Sequence, residues 1–89
     1  MSARFLDEHV SREGRYLLGR DLKTSGYYIS IPVSNSLVDY EEYYNIMAQS
    51  FADYLRKPSI AMTFADECGG RIHDDRLILL PGTDRGTPL

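Results

Sequence analysis

Apolar residues recur along this chain at spacings that switch between the period of a helix and that of a strand. Phe5, Leu6, His9 and Val10 fall at i, i+1, i+4 and i+5, after Ser2 as an N-cap residue and before Gly14 as a terminator. That spacing predicts a short amphipathic helix at the start of the chain. Tyr16 to Leu22 and Tyr27 to Ser34 are joined by Lys23-Thr24-Ser25-Gly26, and the second piece is rich in β-branched and aromatic residues. A hairpin is expected there. Alternation puts Ile29, Ile31 and Val33 on one face, while Pro32 removes a backbone donor and argues for an edge or a bulge.

Residues 37 to 57 fit two patterns. As one helix, Asp39 would cap it with Glu42 as its capping-box partner, and Tyr40, Tyr43, Tyr44, Met47, Phe51, Tyr54 and Leu55 would form a stripe. As a strand, Val38, Tyr40, Glu42, Tyr44 and Ile46 share one face, and a shorter helix runs from Met47 to Arg56. The strand is preferred, because a two-stranded ribbon alone is marginal and a third strand supports it. After Pro58, Ile60, Ala61, Phe64, Ala65 and Cys68 recur at helical spacing up to Gly69-Gly70, which predicts a helix with a left-handed glycine cap. Arg76 to Leu80 reads as a short buried strand.

The sum is an α+β fold: a small antiparallel sheet of three to four strands with two to three helices packed on one face. Residues 1–80 are expected to form the single domain and 81–89 a flexible tail. With 89 residues, 43% of them apolar and 26% charged, the chain can bury one core and no more. A lone cysteine, Cys68, permits no internal disulfide and no thiolate metal site, so the core must do the stabilising. Charges at Arg4, Asp7 and Glu8 interrupt the stretch where a signal peptide is apolar. The longest apolar run, Leu77 to Leu80, is far short of the ~20 residues of a membrane helix. A cytoplasmic protein with no membrane contact is expected.

Charge changes the picture more in its distribution than in its total of −3. Residues 27 to 54 contain four acids, no lysine or arginine, and six of the seven tyrosines. Tyrosine offers large contact area with few torsions to fix, and carboxylates steer a basic partner. Asp39, Tyr40, Glu41, Glu42, Tyr43 and Tyr44 are therefore the candidate contact residues of a protein-binding module, of the inhibitor or immunity type, for a basic partner. The competing reading packs most of these rings into the core and leaves the acids as a solvated exterior.

His73, Asp74, Asp75 and Arg76 form the densest titratable cluster, and a carboxylate beside an imidazole can orient a general base or help hold a metal. Neighbours in an extended segment point to opposite sides, so a polar loop is the simpler reading. A small enzyme or metal-dependent domain centred on this cluster is the second function considered, and a homo-oligomeric module, with a homodimer as its simplest form, the third. The common nucleotide and hydrolase motifs are absent, so no cofactor, no resident metal and no catalytic residue is assigned. Arg12, Arg15 and Arg20 are interleaved with Glu13 and Asp21, which makes no phosphate-binding groove, and nucleic acid is not expected as a partner.

Overall fold

Four strands follow one another as an antiparallel meander, and two helices then cover one of its faces. The computed structural model describes residues 3–89, and Ser2, the expected helix cap, lies outside them. The strands are β1 (Phe5–Ser11), β2 (Tyr16–Asp21), β3 (Gly26–Ser34) and β4 (Asp39–Ile46), in the spatial order β1-β2-β3-β4. Helices α1 (Ala48–Arg56) and α2 (Pro58–Gly69) follow, then a 3-10 turn at Asp74–Arg76 and a two-residue strand β5 (Thr87–Pro88). The α+β fold class read from the sequence is correct, including the strand at 39–46 and the separate helix after it.

The predicted first helix is strand β1. A bulge between Asp7 and His9 shifts its register against β2, so that Phe5, Asp7 and Val10 stand on one face and Leu6, His9 and Ser11 on the other. Apolar pairs at 5, 6 and at 9, 10 thus place one residue on each side of a strand, which imitates a helical stripe.

Ladder register aligns Leu18, Ile29 and Tyr44 across β2, β3 and β4, with Ile31 level with Glu42 and Tyr27 level with Ile46. These residues face the helices. Tyr16, Leu18, Ile29, Ile31, Val33, Tyr44 and Ile46 form the core with Ala61, Ala65 and Cys68. The three helical residues lie on one stripe of α2, and their small side chains let the helix approach the sheet closely. Pro58 occupies the first turn of α2, where its missing N–H costs nothing. At the far end the left-handed residue is Arg71, with φ 63°, and not a glycine of the Gly69-Gly70 pair.

Two further expectations are corrected. Residues 76–80 do not form a buried strand: after the 3-10 turn, Leu77 makes a single bridge to Tyr44, the Ile78 N–H donates to the Tyr43 carbonyl, and Leu79 and Leu80 are exposed. Residues 81–89, expected as a loose tail, return to the sheet. The β2–β3 ladder ends at Leu17–Ser30, and β5 takes the vacated flank of β3, pairing Val33 with Pro88 and Ser34 with Thr87. Gly86 is buried where a Cβ would press on the Ser34 backbone, which explains the glycine.

Candidate binding face

Strand alternation splits the expected contact residues between two faces. Tyr40, Glu42 and Tyr44 point toward the helices, and Asp39, Glu41 and Tyr43 point away from them. On the helix side Tyr44 is fully buried and Glu42 is 6% exposed. Arg85 clasps the Glu42 carboxylate through Nε and Nη2, at 3.0 and 3.1 Å, and Asp74 through Nη1 and Nη2, at 2.7 and 2.8 Å. The Tyr44 hydroxyl donates to Glu42 at 3.0 Å, and Tyr40 Oη accepts the Gly86 N–H at 2.8 Å. Tyr40, Glu42 and Tyr44 are therefore withdrawn from the contact set. Glu42 and Tyr40 hold the C-terminal segment through Arg85 and Gly86, and Tyr44 supports Glu42 through its hydroxyl.

Most of the central tyrosines share that fate. Tyr28 and Tyr44 are sealed, and Tyr27, Tyr40 and Tyr54 pack against the core. Of the six, Tyr43 alone is left half-exposed on the helix-free face.

That face has a small aromatic core of its own. Phe5 of β1 stacks on Tyr43 of β4, with ring centroids 3.9 Å apart, although two strands lie between them. Contact across that span means that the sheet curls toward this side. Tyr28 of β3 lies beneath, edge-on to both rings, and its hydroxyl donates to Asp7. The curl needs Gly19, where a Cβ would overlap the Leu6 carbonyl and the Tyr28 phenol. Arg4 lies 5.0 Å over the Phe5 ring and makes a two-pronged pair with Asp21, at 2.9 Å for each contact. That pairing lowers the Asp21 carboxyl to about 2.

Asp7 and Glu41 lie beside the aromatic centre and Asp39 at the far end of β4 on the same face, and none of the three makes an ion pair among the described residues. Glu41 is half-buried and accepts the Ser30 hydroxyl at 2.9 Å. Burial, with the nearby Asp7 charge, pushes its carboxyl above the usual range in spite of that bond. Burial and the same two carboxylates also raise the Tyr43 phenol. Val10, Leu17 and Pro32 extend the face as an apolar strip. Phe5, Asp7, Val10, Leu17 and Pro32 are additions that the sequence reading missed, and two-residue alternation with a bulge in β1 was the signal that could have found them.

The second cluster does not converge. His73 Nε2 lies 2.8 Å from Glu67, its ring stacks on Phe64 at 4.3 Å, and Asp74 is engaged by Arg85. Asp75 and Arg76 are exposed, the latter reaching only the Asn45 carbonyl at 3.5 Å. Among the described residues no group of three or more His, Cys, Asp or Glu side chains is placed to hold a metal ion. Cys68 is buried and its thiol is pushed up to about 12, which removes thiolate character near neutral pH. No helix of the described residues is long and apolar enough to cross a membrane. No known protein family, curated protein or solved structure matches the chain.

Proposed function

We propose that the protein is a small binding module that docks a basic protein partner on the helix-free face of its sheet, in the manner of an inhibitor or immunity-type binder. One observation carries the reading: Asp7 and Glu41 flank the half-exposed Tyr43 on a face that no helix covers, and neither has a cationic partner among the described residues. A partly desolvated carboxylate without a counter-charge is costly to the free protein, and a partner's lysine or arginine relieves that cost. The aromatic platform supplies contact area whose torsions are already fixed, so docking loses little side-chain entropy. The contact set reduces to Asp7, Asp39, Glu41 and Tyr43, with Phe5 as the support of Tyr43.

The test is affinity capture from lysate at two salt concentrations with wild type, Glu41→Lys and Asp53→Lys, the last being the same charge change on α1 in the helical layer, where it breaks a surface pair with Arg56. The reading expects a basic protein retained by wild type and by Asp53→Lys, lost by Glu41→Lys, and weakened at the higher salt. Retention by a folded Glu41→Lys variant at both salts contradicts it.

A further inference from the structure

A cleft of about 310 Å³ lies at one end of this face, with Val10, Leu17 and Pro32 as apolar wall residues, Glu41 on one side and Arg12 and Arg15 on the other. We infer that it is a subsite for a peptide chain end terminating in arginine or lysine, the basic side chain meeting Glu41 and the terminal carboxylate meeting Arg15 and Arg12. The inference rests on the helix-free face being the binding face, and it specifies what enters there.

Placement supports it. Glu41 is paired with Pro32 across β3 and β4, whereas Arg12 and Arg15 come from the turn that leads into β2, so one cleft brings a carboxylate of β4 and two guanidinium groups of that turn together. Glu41 and the two arginines thus line the same cleft, with Val10, Leu17 and Pro32 as its apolar floor. None of Glu41, Arg12 and Arg15 makes an ion pair among the described residues. Opposite charges held apart across apolar surface suit a ligand whose own charges are separated by an apolar stem. A terminal arginine is such a group, with its carboxylate and guanidinium roughly 7 Å apart when extended. The guanidinium fork of Arg15 is itself suited to a carboxylate. Arg15 also holds φ at 54°, a left-handed conformation that an arginine rarely adopts.

The test is an amide-resolved NMR titration with three tripeptides: acetyl-Gly-Leu-Arg with a free carboxylate, the same peptide as its amide, and acetyl-Gly-Leu-Gln with a free carboxylate. The free-acid arginine peptide is expected to shift the amides of Val10, Leu17 and Glu41 saturably. Amidation or replacement by glutamine should weaken binding about fivefold each, the loss of one exposed charge-assisted contact. Glu41→Gln and Arg15→Gln, whose unchanged spectra elsewhere report an intact fold, should each weaken the arginine peptide by a similar factor. No saturable shift at about 10 mM peptide, equal responses to all three peptides, or full binding by Glu41→Gln overturns the subsite. If a partner is captured in a Glu41-dependent way while no tripeptide binds, or tripeptide shifts are confined to α1 and α2, the subsite alone fails; capture that does not depend on Glu41 removes both readings.

Discussion

Glu41 and Glu42 are adjacent in sequence and opposite in role. Glu42 faces the core and is neutralised by Arg85, whereas Glu41 faces outward with only the Ser30 hydroxyl to support it. Removing one partner of a buried pair leaves the other charge uncompensated, so Arg85→Ala should destabilise the fold by about 3 kcal/mol in urea unfolding. The double variant Glu42→Gln, Arg85→Gln should lose less than Arg85→Ala alone, because no buried charge remains unpaired. Asp21 gives a pH signature. Its folded carboxyl titrates at about 2, held down by Arg4, below the ordinary value of 3.8. The pair therefore contributes fully above about pH 4 and is lost as the pH falls toward 2. Thermal melts should show that loss in wild type, and Asp21→Asn should begin less stable at pH 7 and respond less to acid over the same window.

At the scale of elements, turns and buried runs were legible and face assignments were not. The β2–β3 hairpin, the strand at 39–46 and α2 follow from local patterns: Gly26 at a turn, alternating β-branched residues in β3, and Ala61, Ala65 and Cys68 on one stripe beginning after Pro58. Strand β1 was misread because one bulge residue converts alternation into apparent helical spacing. Tyrosine counts marked the middle of the chain as unusual, yet they could not show that the sheet curls until Phe5 meets Tyr43, since that contact joins residues far apart in sequence. The tail was illegible for a similar reason: Arg85 finds Glu42 and Asp74 only after the chain has folded. The curl makes its own prediction. Phe5→Ala removes the ring that covers Tyr28 and supports Tyr43, and should cost about 3 kcal/mol by chemical denaturation, well beyond a surface substitution. A loss below about 0.5 kcal/mol would mean that the aromatic cluster is not a core.

The whole molecule is a single sheet with two unlike sides. One side is closed by α1, α2 and the anchored C-terminal segment; the other carries a small aromatic core flanked by Asp7 and Glu41, which make no ion pair among the described residues. Stability resides mainly on the first side, which frees the second to keep groups that contribute little to folding, such as Glu41. Methyl groups distinguish the two sides directly, with Val10 and Leu17 on the open one and Leu55 and Ile60 in the helical layer. Methyl-resolved NMR of the protein bound to its captured basic partner is the decisive measurement. The account predicts that Val10 and Leu17 shift while Leu55 and Ile60 stay in place; shifts at Leu55 and Ile60 with Val10 and Leu17 unmoved would contradict it.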